Sequence, residues 1–342
     1  MGSTAALKAQ FNLASVSCFD GKPYTMHDLL DWDFHVLSLP EPEAVRLCRD
    51  LLVYYADRAA LGIRGEVIMN FCGALHANYL QNPYHNFYHA LNVVQVLCLL
   101  LALPDVGARF TPTDFFVLSV AALGHDLGHP GFNNLFMQRN QCWPARIYSN
   151  TSILENYHAA SLLQILRVPH MDLFANMSDG ELDSVRKRLI NAIMWTDMAK
   201  HFDMVAKLDG KIQGEMVLSE GIMCTLQKPY LEGLLLHSAD ISNPLLEFDM
   251  CRDWAIRACD EFFNQNKLEE ALGQPPFMPA LQSFDEFCIA KAQIGFIDFI
   301  CKPLFNNLAL MFPAQLGERA AQMRKNRSAA AGTAVPKRLL AE

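Results

Sequence analysis

The chain has 342 residues, 51% hydrophobic, 19% charged and 10% aromatic, which is enough to bury a large core and unlike a disordered composition. A formal net charge of −8 argues against a general nucleic-acid binder, which carries a basic surface; a small anion remains possible where a metal sets the local field. The ten cysteines form no Cys-x-x-Cys pair and mostly fall in apolar helical patterns, so they read as buried free thiols in a reducing, cytoplasmic compartment.

Residues 1–20 are expected to form an N-terminal extension, with Met1–Ser3 set aside as an expression remnant. Residues 21–325 read as a single all-α domain, and the small-residue-rich 326–342 as a frayed tail. Along the chain, "EPEAVRLCRDLLVYYADRAA" repeats apolar residues at steps of three and four, the mark of an amphipathic helix. The apolar run around "VLCLLLAL" is far short of the roughly 20 residues a membrane span needs, so no transmembrane segment is expected. Thr113 and Asp114 are placed to cap a helix beginning at Phe115. Ser152 is placed to cap the next, with Glu155 three residues on in a capping-box spacing. Helices follow in "SILENYHAASLLQIL", "ELDSVRKRLINAIMWTDMAKHFDMVAKL", "YLEGLLLHSADI" and "FDMCRDWAIRACDEFFNQNKLEEAL". The breaks "LPDVGARFTPTD" and "GQPPFMPALQS" are loops rather than linkers. The second is expected to be mobile and near the functional site. Strand-like alternation is nearly absent and no solenoid repeat is visible.

Four segments concentrate metal-ligand types. In "YHNFYHALNVVQV", His85 and His89 are four apart and would share a helix face. "HDLGHPGFNN" repeats that spacing in His125 and His129, with Asp126 adjacent. "ILENYHAA" holds Glu155 and His158, and "LLLHSADISNP" holds His237 and Asp240. A lone histidine on an apolar face is usually structural, and His27, His35, His76 and His170 are read so. Asp240 is different: an acid after "LEGLLLHSA" is partly buried, which is costly unless it is paired or bound to a metal. Helices driven into a core bring their ends together, and a mixed His/carboxylate set without thiolate suits zinc with open positions. Asp126 as a bridge would admit a second, harder ion, magnesium or manganese. Two metals about 3.5–4 Å apart are a recurring arrangement for phosphoester hydrolysis.

From Trp32 to Pro313 the chain resembles the catalytic domain of class I cyclic-nucleotide phosphodiesterases, within the wider group of HD-type metal phosphohydrolases. The signature segments appear as "HNFYH", "HDLGH", "ADISN" and "QIGF". The resemblance implies that His89, His125, Asp126 and Asp240 ligate a first metal, usually zinc, and that Asp126 bridges to a second, usually magnesium. It implies that His129, Glu155, His158 and Thr196 lie in the outer shell, that a hydroxide between the metals attacks phosphorus, and that His85 protonates the leaving 3′ oxygen. Gln293 would bond the purine, Phe296 would stack on it, and Asn243 would line the base end. Ala258 stands where many members have a branched aliphatic residue facing Phe296, implying a looser clamp. Tyr157 replaces a common His, and Cys251 a common aromatic, leaving room for either purine. The implied activity is cleavage of cyclic AMP and/or cyclic GMP to 5′-monophosphates, with a cyclic purine nucleotide as partner, no nucleic acid, and no regulatory domain in this chain. "HNFYHALNVVQV" and "QIGFIDFICKPLF" look closest to unicellular-eukaryote members. Another HD-type phosphohydrolase acting on nucleotides would share the metal residues but have no use for Gln293 and Phe296. A non-catalytic cyclic-nucleotide sensor would have lost a ligand or the acid, and a helical scaffold would leave Asp240 unexplained.

Overall fold

The computed structural model describes residues 24–218 and 226–334. The expected extension 1–20, with Cys18, lies outside the described residues, as do Cys224 and the end of the tail. The His27 side chain is likewise outside them. Among the described residues there is no strand, in line with the all-α reading. Among the described residues the α-helices longer than four residues are α1 (Glu41–Arg58), α2 (Gly65–Asn78), α3 (Phe87–Leu101), α4 (Pro112–Gly124), α5 (Asn134–Arg139), α6 (Trp143–Ile147) and α7 (Ile153–Leu166). They continue with α8 (Asp179–Met194), α9 (His201–Leu218), α10 (Lys228–Asp240), α11 (Phe248–Ala271), α12 (Glu286–Phe296), α13 (Lys302–Met311) and α14 (Pro313–Thr333).

The middle of the molecule is set by helices that are buried all round and present no polar face to solvent. Every residue of α3 except Tyr88 is buried, and α4 is buried from Phe116 to Gly124. A helix without a polar face has to be enclosed by others. α3 packs on α4 and α10, α4 on α1 and α8, and α12 and α13 pack on α14. The polar ends of α3, α4 and α10 therefore meet inside the protein.

Local chemistry moves two of the expected caps. α4 begins at Pro112, not Phe115: Thr111 is its cap, in a capping box with Asp114 three residues on. Proline at the first position favours that earlier start, since its missing N–H is unneeded there. Ser152 does precede α7, but it sits at φ 41° and makes no capping bond. Its hydroxyl donates to Asp197 at 2.6 Å, and the Asn134 side chain takes the Leu154 N–H at 2.9 Å instead. The expected tail boundary at 326 falls inside α14. Asn326 is buried and donates to the Pro244 and Leu246 carbonyls at 3.0 and 2.8 Å, so α14 is anchored as far as its last turns.

One continuous helical run, Glu286–Met311, is long and apolar enough by composition to cross a membrane, with a mean hydropathy of 1.3. It comprises α12, a π-helical turn (Ile297–Cys301) and α13. The sequence reading, which looked for an uninterrupted apolar string, did not pick it out. It packs on α14, and its Gln293 and Phe296 line a cavity.

Candidate metal centre

Three helix ends supply the centre. His89 is in the first turn of α3, whose N-cap Asn86 takes the backbone N–H of both Tyr88 and His89. His125 follows α4, and Asp126 is next in the turn. Asp240 is the last residue of α10. Their ligand atoms all lie within 4.8 Å of one another. His89 Nε2 is 3.0 Å from Asp240 Oδ1 and 3.4 Å from Asp126 Oδ2; His125 Nε2 is 3.3 and 3.2 Å from the same two atoms. Both imidazoles are fully buried.

The donor set fits a divalent cation. His125 donates Nδ1–H to the Ala122 carbonyl at 2.8 Å, which orients the ring so that Nε2 faces the two carboxylates. His158 likewise donates Nδ1–H to Leu127 O at 2.9 Å, while its buried Nε2 has no hydrogen-bond partner and lies 3.7 Å from Asp126 Oδ1. Electrostatics agree. Burial opposes charge on His125, yet Asp126 and Asp240 overcome it and hold the imidazole well above its ordinary range. Burial also disfavours the charged carboxyls, but the imidazoles, His125 foremost, keep Asp126 and Asp240 well below theirs. A field that retains a proton on a buried imidazole is a field that would retain a cation, and mixed His/carboxylate ligation is what zinc and similar metals take.

His85 is not on α3, as its spacing from His89 suggested. It precedes the helix by two residues, on an irregular segment, and its ring centroid still comes within 5.8 Å of that of His89. The feature that places it was not found from sequence. Glu261 of α11 accepts the Tyr84 and His85 backbone N–H groups through Oε2, at 3.0 Å each, and pairs with His85 Nδ1 through Oε1. Burial works against charge on both. Their mutual attraction wins, raising His85 to about 9 and lowering Glu261 to about 2. Its trace in the sequence is helical spacing: Glu261 lies on the face of α11 that carries Trp254, Ala258 and Gln265.

His129 stacks on His85 with ring centroids 3.9 Å apart and on His158 at 5.6 Å. Burial, then the charge on His85, holds it well below its ordinary range. Its neutral ring accepts the Gly131 N–H at Nδ1, 3.0 Å, so Nε2 carries the proton. Gly128, at φ +75°, makes the turn that brings His129 back, and a Cβ there would meet the Tyr157 hydroxyl at 3.0 Å. Glu155 takes both oxygens to Asn134 at 3.2 and 3.0 Å, and burial with nearby Asp197 raises it to about 7. Thr196 donates to Ile193 O at 2.8 Å. His237 turns away from the centre to His201, 2.9 Å.

A cavity of about 180 Å³ is lined by His85 and Asp240 together with Asn243, Ala258, Gln293 and Phe296. All four residues expected at the base end line it. Asn243 is locked, donating to the Tyr84 hydroxyl at 2.9 Å and accepting from Asn92 at 3.1 Å. Gln293 donates to Cys251 Sγ at 3.5 Å. Cys251 lies behind Gln293, facing a separate cavity of about 270 Å³.

The profile of the 3'5'-cyclic nucleotide phosphodiesterase family matches residues 84–321. The chain is 34% identical over 245 residues to the human high affinity cGMP-specific 3',5'-cyclic phosphodiesterase 9A, covering 71% of this chain and 40% of that one. It is 31% identical over 293 residues to the mouse dual specificity calcium/calmodulin-dependent 3',5'-cyclic nucleotide phosphodiesterase 1C, covering 84% and 40%. The crystal structure of the phosphodiesterase domain of the RhoPDE fusion protein from the choanoflagellate Salpingoeca rosetta superposes with a TM-score of 0.83 at 29% identity, covering 90% of this chain and 95% of that one. The chain thus spans about two-fifths of the length of these two curated relatives.

Proposed function

Because the chain belongs to the 3'5'-cyclic nucleotide phosphodiesterase family, we propose that it hydrolyses 3′,5′-cyclic purine nucleotides to nucleoside 5′-monophosphates and so ends a cyclic-nucleotide signal. The observation that carries this is one cavity lined by Asp240, a member of the His89, His125, Asp126 and Asp240 cluster, by His85, and by Gln293 and Phe296. In this reading the four clustered side chains hold zinc. Asp126, with His158 Nε2 3.7 Å from its Oδ1, would also hold a magnesium or manganese ion, whose bound waters His129, Glu155 and Thr196 would orient. When bound, such ions supply positive charge at the cyclic phosphate and acidify water.

The chain's own residues do the rest. His85, kept protonated by Glu261, gives its proton to the departing 3′ oxygen. Neutral His129, stacked beneath it, adds no competing charge. Phe296 offers a ring face to the purine, and Gln293 an amide. A thiol is a weak acceptor, so the Gln293 amide is free to turn and present either donor or acceptor, and Ala258 leaves the opposite wall wide. Both features support use of both purines. Initial rates on cyclic AMP, cyclic GMP and a deoxynucleoside triphosphate, measured side by side, test the reading. Hydrolysis of both cyclic nucleotides and not the triphosphate is expected; preference for the triphosphate would replace it with a general nucleotide phosphohydrolase.

A further inference from the structure

The face of α11 that lines the cavity continues beyond it. Ala258, Cys259 and Phe262 border the cavity, and helical spacing carries the same face on to Gln265, Asn266 and Glu269. These three polar residues are as buried as core leucines, at 1%, 3% and 0% exposure. Buried polar groups persist where they are bonded, and here the partners lie largely in the segment between α11 and α12. Asn266 Oδ1 accepts the Met278 N–H at 3.0 Å, and its Nδ2 donates to the carbonyls of Met278 at 2.8 Å and Leu281 at 3.4 Å. Glu269 Oε2 accepts the Phe277 N–H. Gln265 braces that carboxylate at 3.1 Å.

The segment has no helix between Gly273 and Asp285, so side chains of α11 do for it what a backbone ladder does elsewhere. Met278, gripped through both its N–H and its C=O, is also the residue of this segment that borders the cavity, packed with Phe262 against Cys259. We propose that Asn266 is a positioning residue for substrate recognition: its carboxamide fixes Met278 and thereby the wall of the cavity at the purine end. The proposal rests on the cyclic-purine reading above. A carboxamide supplies the one acceptor and two donors that the site uses. Aspartate would set a carboxylate against two carbonyls, and alanine would leave buried backbone groups of Met278 unbonded.

Met278 borders the base end and has no part in the proton transfer assigned to His85. Its displacement therefore weakens ground state and transition state alike, which raises KM and leaves kcat. In the full chain, Asn266→Asp and Asn266→Ala are expected to raise KM for cyclic AMP and cyclic GMP about tenfold, a loss of about 1.4 kcal/mol. Values of kcat should stay within about twofold. Hydrolysis of bis(p-nitrophenyl) phosphate, a diester without a purine, should be unchanged. Unchanged KM, or a joint fall in kcat and in the aryl diester rate, overturns the proposal. Amide hydrogen exchange reads the grip without turnover: Phe277 and Met278 should be protected in the wild type and exchange faster in both variants, with α3, α4 and α10 unaffected. Equal exchange in wild type and variants overturns the grip whatever the substrate. A wild type inert toward cyclic nucleotides overturns the functional reading instead, and the exchange measurement still decides the grip.

Discussion

The pair of His85 and Glu261 shows how a single side chain changes what its neighbour can do. An imidazole buried alone would be neutral near pH 7; with Glu261 against Nδ1 and two backbone N–H groups holding the other oxygen, it keeps its proton up to about pH 9. Replacing His85 by Ala should lower kcat by about 10²–10⁴-fold with bound metal unchanged by emission spectroscopy; loss of metal in that variant would make His85 a ligand, not an acid. Glu261→Gln keeps the shape and removes the charge, so His85 loses the partner that raises its pKa. The expected result is a smaller fall in kcat and an alkaline limb of the pH–rate profile displaced to lower pH. An unmoved limb would separate Glu261 from the proton. His125, Asp126 and Asp240 were legible as a site because an apolar run ending in His or Asp is costly unless something binds there; His89, which precedes its apolar run, entered through its spacing from His85 and through the family resemblance. Glu261 was missed because it is preceded by ordinary charged neighbours in "CDEFF", where one acid looks like another until the face of the helix is drawn.

Helix packing holds these ends in register, and two places fix it. Gly233, midway along α10, lies under Trp195 at the end of α8: a Cβ there would sit 2.2 Å from the indole Cδ1. Gly233→Ala should therefore cost about 2–3 kcal/mol and lower Tm by several degrees. Gly210→Ala in α9, where nothing lies within 4 Å, should be neutral or stabilising by up to about 1 kcal/mol. Equal effects would remove the packing argument. The second place is Asp114, buried at the start of α4, with Lys228 of α10 at 2.6 Å and Arg188 of α8 at 2.7 Å. Burial disfavours its charge, but Lys228, Thr111 and Arg188 lower its pKa below the ordinary 3.8. A depressed carboxyl contributes stability above the unfolded value and loses it as pH falls through the folded one. Wild-type Tm should thus fall more steeply below about pH 4 than that of Asp114→Asn. At pH 7 the variant should be less stable by about 2 kcal/mol, Lys228 being partly exposed. Parallel acid limbs would show the pair to be inert. Periodicity gave the helix type of the segments it reached, but α2 was not picked out, "ELDSVRKRLINAIMWTDMAKHFDMVAKL" is two helices, α8 and α9, and the caps were not legible. Ser152 had the right spacing yet serves Asp197, a residue 45 positions away, and such a competing partner leaves no local trace.

Across the whole molecule, an acidic chain gathers two carboxylates and a set of imidazoles at its centre and leaves a cavity leading from them to an amide and an aromatic ring. The family profile spans both ends of that cavity, from Tyr84 to Ala321. The polar Asn266 and Glu269 were invisible in sequence as supports, because their partners are backbone atoms of an irregular segment and carry no residue identity. The proposed hydrolysis depends on cations held by His89, His125, Asp126 and Asp240. The direct measurement is the initial rate of cyclic AMP hydrolysis by wild-type protein, by protein stripped with chelator, and by stripped protein given zinc and magnesium. The rate should vanish on stripping and return on addition, and Asp240→Asn should not recover; undiminished turnover by metal-free protein would contradict the account.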